Sequence, residues 1–209
     1  MRPVAIIRRM SLAARIAAHF EDSARLKLAC IEPLSGPIAR AVELAVAALS
    51  ADRKLMACGN GGSAADAQHL AAELVGRFER ERPELAAIAL TTDSSILTAV
   101  ANDYRFDEVF ARQVRALGQS GDVLVAISTS GNSANVLAAV QAARERGIRV
   151  IALTGRGGGR IATLLGEQDV HLCVPHERTM RIQEVHLLIV HCLCDGIDAA
   201  LLGDDGNPS

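Results

Sequence analysis

The sequence predicts an α/β fold: a doubly wound, five-stranded parallel sheet with helices on both faces, preceded by N-terminal helices. Three observations carry this. Beyond Asp52, short apolar runs alternate with helical stretches, the pattern of βαβ units with right-handed crossovers. The runs are apolar almost throughout, as in strands covered on both faces. Two polar Gly/Ser segments, 59–63 and 128–133, each follow such a run, where ligands bind in open α/β sheets.

The elements follow in order. From Leu12 to Leu49 apolar residues recur at three- and four-residue spacing, interrupted near Pro33 to Pro37. This predicts two helices, at about 11–31 and 37–50, with packing or oligomerisation as their role. Lys54 to Cys58 reads as the first strand, and a helix over about 64–78 follows. Ala86 to Thr91 is the second strand, followed by helical stretches at about 94–102 and 106–117. Asp122 to Ile127 is the third strand, ahead of a helix from Ala134 to Arg146. Arg149 to Leu153 is the fourth, with the glycine-rich turn Gly155–Gly159 and a short helix after it. Asp169 to Val174 is the fifth, and a final apolar helix runs from about Thr179 to Leu202. The division expected is an N-terminal helical segment, 1–50, and a sheet domain, 51–205. At the extreme N-terminus, Met1 to Arg9 hold an apolar run too short for a signal-peptide core. The expectation is that Met10 is the natural start, or that 1–9 are disordered.

Composition narrows the class. Of 209 residues, 36 are alanine and only five are aromatic, so the core must be built from Ala, Val, Leu and Ile. Such side chains let helices approach each other and a sheet closely. A net charge of −2 without a basic run leaves no electrostatic footprint for direct nucleic-acid binding. Five cysteines in apolar surroundings fit thiols in a reducing cytoplasm better than a secreted disulfide framework. No uninterrupted 18-residue apolar stretch exists, so no membrane span is expected.

Chemistry concentrates in four places. Ser128-Thr129-Ser130-Gly131-Asn132-Ser133 offers hydroxyls and the N–H groups of a helix start, which suit an anion such as a phosphate. It has no lysine, which disfavours a P-loop; a plain capped turn, with Ser133 as the cap, is the bland alternative. Gly59-Asn60-Gly61-Gly62-Ser63 permits close backbone approach to a ligand but lacks the full dinucleotide fingerprint. His69 and Glu73 stand four apart on one helix face, able to share a metal ion or a proton-transfer task. Gln183, Glu184, His186 and His191 lie on the last helix. Gln183 and His191 are eight residues apart, roughly 12 Å along a straight helix, so sharing one ion needs inward-leaning side chains or a subunit interface. Asn102-Asp103 suit contact with substrate hydroxyls or an Asx turn. Arg80 and Arg82 read as a solvated face, and Cys192-x-Cys194 as packing.

Taken together, CGNGGSAADAQH…E (58–73), RPELAAIALTTD (82–93), AND (101–103), GDVLVAISTSGNSANV (121–136), ALTG (152–155) and RIQEVH….H (181–191) resemble the sugar isomerase (SIS) domain family over about 50–205. More narrowly, they look like its phosphoheptose isomerase branch. That resemblance implies aldose–ketose conversion of sedoheptulose 7-phosphate to D-glycero-D-manno-heptose 7-phosphate, on the way to lipopolysaccharide heptoses. It implies that Ser128, Thr129, Ser130 and Ser133 hold the phosphate, and that Asn60, Gly61, Gly62, Asn102 and Asp103 line the sugar. It implies a zinc ion among His69, Glu73, Gln183 and His191, and a homotetramer with sites between subunits. Enediol chemistry needs a carbon base and a proton shuttle at the oxygens, roles assigned to Glu73 and His191. The segments RALGQSGDVLVAIS, LLGEQDV and HCLCDGID also resemble the non-enzymatic branch that binds the replication initiator DnaA. The presence of Glu73 and His191 favours the enzyme.

Overall fold

A computed structural model of the chain describes residues 11–203. The expectations for Met1–Arg9 and for Met10 lie outside these residues.

Five parallel strands, β1 (Leu55–Gly59), β2 (Ala87–Ala89), β3 (Val123–Ser128), β4 (Arg149–Gly155) and β5 (Val170–Val174), form one sheet in the order β2-β1-β3-β4-β5. This is the doubly wound arrangement expected. Helices cover both faces, and alternate residues of each strand feed two separate cores. Leu55, Ala57, Val123, Val125, Ile127, Ile151 and Leu153 point to α1 (Leu12–Ser50), α2 (Gly62–Val75) and α7 (Thr179–Leu202). Met56, Cys58, Leu124, Ala126, Val150 and Ala152 point to α4 (Ala111–Leu117), α5 (Ala134–Glu145) and α6 (Gly159–Ala162). The ladder bonds of β2 reach past its short core, since Leu55 N donates to Ala86 O and Leu90 N to Ala57 O.

The N-terminal region departs from expectation. Residues 12–50 form one helix, with Pro33 and Pro37 inside it. Each proline removes a backbone hydrogen bond and crowds the preceding turn, at about 3 kcal/mol. Packing outweighs that cost. Leu26 and Cys30 before the prolines, Leu34 between them, and Ala41, Ala45 and Ala48 after them are buried on one continuous face. Breaking the helix would turn one half of this face away from the core. Ser11 caps the start, its hydroxyl accepting from Ala14 N at 3.1 Å. Close helix approach comes from small residues, as the alanine content implied. A Cβ on Gly196 of α7 would lie 2.7 Å from Val42 Cγ2 of α1.

The stretch expected at 106–117 divides into a 3-10 turn, Phe106–Glu108, and α4. Between β2 and that turn, α3 (Ser94–Asp103) is capped by Asp93 and buries none of its residues. Among the described residues, α7 is the one helix long and apolar enough to cross a membrane. Here it is a core helix that buries ten residues, Arg181, His186 and Asp198 among them.

Candidate active site

The chain leaves β1 towards one edge of the sheet and β3 towards the other. This reversal opens a crevice at the carboxyl ends of the two neighbouring strands. Loops 59–63 and 128–133 both start there. The first is tied to the start of α5, into which the second runs: Asn60 Nδ2 donates to Asn135 Oδ1 and Asn135 Nδ2 to Asn60 Oδ1, both at 2.8 Å.

The hydroxyl loop is shaped by its own bonds and by a second glycine-rich turn. Ser128 and Ser133 hydroxyls meet at 2.9 Å. Ser133 occupies the N-cap position of α5, yet its side chain makes no capping bond. The hydroxyl expected to cap a helix is turned inward beside Ser128 instead. Ser130 Oγ accepts from Asn132 N at 3.2 Å, and Thr129 and Ser130 are half-buried at the crevice. Gly131 has φ of +64°, and a Cβ there would lie 1.9 Å from Gly158 O. The Gly155–Gly159 turn thus packs against the loop backbone, reinforced by Ile161 N donating to Gly131 O and Arg160 N to Asn132 Oδ1.

In loop 59–63, Gly61 has φ of +56° and leads into α2. A Cβ on Gly62 would lie 2.6 Å from Gln183 Nε2, so Gln183 covers the start of α2. Farther along the same two helices, His69 Nε2 lies 3.0 Å from His191 Nε2 and 3.5 Å from Glu73 Oε1. His191 is backed by Phe78, with ring centroids 5.7 Å apart. The structure therefore brings His69, Glu73 and His191 together, with His69 as the hub. Gln183 stands about two helical turns from them, as its spacing to His191 requires. Asn102 and Asp103 lie exposed at the end of α3, where Asn102 Nδ2 donates to Asp103 Oδ1 at 2.8 Å.

Two residues of this region escaped the sequence reading. Asp66, one turn before His69, has its Oδ2 buried with no hydrogen-bond partner among the described residues. Burial pushes its carboxyl up to about 6, against the opposing pull of His69. Its place three residues before a histidine on an amphipathic helix was the available signal. Arg82, expected on a solvated face, has a side chain only 1% exposed and forms an ion pair with Asp198. A run of arginines and glutamates gives no hint of which member turns inward.

The SIS domain family model matches residues 18–155. A phosphoheptose isomerase from Azoarcus sp. (strain BH72) is 66% identical over 93% of this chain and 98% of its own length. Among solved structures, a phosphoheptose isomerase from Neisseria gonorrhoeae is 59% identical with a TM-score of 0.87, covering 90% of this chain and 100% of that one. One from Francisella tularensis is 45% identical with a TM-score of 0.88, over 90% and 99%.

Proposed function

The chain belongs to the SIS-domain family, and from that premise we infer that it works as a phosphoheptose isomerase. It converts sedoheptulose 7-phosphate to D-glycero-D-manno-heptose 7-phosphate through an enediol. The observation that carries the site assignment is the convergence of His69, Glu73 and His191 from two helices beside the crevice.

In this reading the phosphate sits on Ser128, Thr129, Ser130, Ser133 and the N–H groups that open α5. Asn60, Gly61 and Gly62 contact the sugar, with Asn102 and Asp103 supplied from α3. Glu73 removes a proton from C1 of the ketose and returns it to C2. His191 delivers a proton to the C2 oxygen and accepts the one leaving the C1 oxygen. The C1 carbon thereby becomes the aldehyde. His69 and Gln183 orient the reacting end.

The donor set suits zinc, which favours histidine nitrogen and carboxylate oxygen. Two nitrogens on one tetrahedral zinc are about 3.3 Å apart, a few tenths of an ångström more than the His69–His191 separation of 3.0 Å. His69, Glu73, His191 and, through a change of its side-chain direction or from a second subunit, Gln183 would hold the ion. When bound, zinc would polarise the substrate carbonyl as a Lewis acid.

The assembly in this reading is a homotetramer with sites at subunit interfaces. Its support is the apolar stripe of α1, Leu12, Ile16, Phe20, Leu28 and Ile31, which is exposed among the described residues. A cytoplasmic location is supported by five cysteines that are all free.

The experiment is incubation with sedoheptulose 7-phosphate, product detection by NMR, and metal analysis of the same sample. Glu73→Gln is expected to lose about 10²- to 10⁴-fold in rate while keeping the fold. A near-normal rate in that variant would show the base to be another residue. No turnover by the wild type, together with capture of DnaA, would replace the enzyme reading with the initiator-binding one.

A further inference from the structure

Arg82 connects the helix that carries Glu73 to the helix that carries His191. Its Nε donates to Asp198 Oδ1 at 2.6 Å, and the two side chains are 1% and 4% exposed. Asp198 lies on α7, seven residues and two turns beyond His191. The other arm of the guanidinium addresses α2. Nη2 donates to the carbonyl of Glu73 itself at 2.7 Å, and Nη1 to that of Leu74 at 2.9 Å. These are carbonyls of a helix end, which have no intrahelical partner. The helix stops at Gly76, whose N–H returns to Ala72 O; the Leu74 carbonyl also accepts from Leu85 N at 3.0 Å, whereas the Glu73 carbonyl is met by Arg82. One planar fork therefore holds the last turn of α2 at the residue assigned as base and anchors it to the helix of the assigned acid.

We propose that Arg82, held by Asp198, is a positioning residue for the isomerisation: it fixes the backbone of Glu73, and so its carboxylate, relative to His191. This rests on the reading of Glu73 as the base. Simple packing of α2 against α7 is already supplied by Leu70, Leu74, Ile189 and Leu193 in the shared core. The bond to the Glu73 carbonyl adds register, which packing of small apolar groups specifies poorly. Displacements near 1 Å at reacting groups can cost about 10²-fold in rate.

The test uses two forms of the full chain. Arg82→Met with Asp198→Leu removes both buried charges together and leaves an apolar pair, so the fold is retained without the fork. Arg82→Lys keeps the charge opposite Asp198 but replaces the planar fork by a single ammonium. For each, Tm, kcat and KM for sedoheptulose 7-phosphate are measured beside the wild type and Glu73→Gln. The expected result is a kcat lowered about tenfold or more in both forms, with KM within about twofold because loop 128–133 is untouched. A folded double variant with wild-type kcat overturns the proposal, as does a change confined to KM or Tm. Should the double variant not fold, wild-type kcat in Arg82→Lys overturns it equally. An active Glu73→Gln or an inactive wild type removes the base assignment itself. With an active wild type and an inactive Glu73→Gln, the rates of the two Arg82 forms bear on Arg82 alone.

Discussion

His186 sits on α7 with no exposed surface, its Nε2 donating to Thr154 O of β4 at 3.0 Å. Its Nδ1 is buried without a partner among the described residues. Burial lowers its pKa from 6.5 to about 4, outweighing the Thr154 carbonyl, which favours the charged ring. The unfolded chain takes up a proton as pH falls through 6.5, which the native ring refuses until about 4. Stability supplied by the neutral ring is thus complete above pH 6.5 and is lost progressively below it. At 1.36 kcal/mol per tenfold difference, the whole gap is worth about 3 kcal/mol, and about 2 kcal/mol is lost by pH 5. His186→Gln keeps an N–H for Thr154 O but cannot take up the proton. Urea unfolding of both proteins at pH 7 and pH 5, at one fixed protein concentration, isolates this group. The wild type should lose about 2 kcal/mol more than the variant over that interval. The His171 ring, lowered by burial in the same direction, contributes to both proteins and cancels. Equal losses would refute the reasoning.

Gly131→Ala should be costly, because φ is +64° and the new Cβ would sit 1.9 Å from a backbone oxygen of Gly158 that has no room to yield. A raised KM for the phosphorylated substrate with a lowered Tm is expected, and unchanged values of both would exclude the interlock of the two turns. Gly62→Ala meets only the far end of the Gln183 side chain, at 2.6 Å. Its Tm should stay near wild type while turnover falls, because Gln183 must move; full activity would remove Gln183 from the site. Chelation followed by zinc addition should abolish and then restore turnover, and activity that survives with no metal detected would exclude the ion.

Much of the fold was readable because strand and helix periods differ and because Gly/Ser loops mark where strands end. DVLVAI followed by STSGNS marks a buried strand and the loop after it within one residue of β3. Pro33 and Pro37 misled for a physical reason: their local cost is visible in sequence, whereas the apolar face that outweighs it appears only when α7 and the sheet are in place. Likewise, His69 and Glu73 were legible as a pair at helical spacing. Their meeting with His191 depends on how α2 lies along α7, which no local spacing encodes. Arg82 was illegible because its burial is set by Asp198, 116 residues away.

The reciprocal amide pair between Asn60 and Asn135 bears on how an extended seven-carbon substrate is received. Each amide both gives and accepts, so loop 59–63 cannot slide past the start of α5 without breaking two bonds at once. In the proposed reading, the phosphate end and the carbonyl end of the ligand meet surfaces whose mutual spacing was settled when the chain folded. The entropy of aligning them therefore does not weaken binding, and the interactions at the phosphate remain free to hold the reactive carbons at their attack distance.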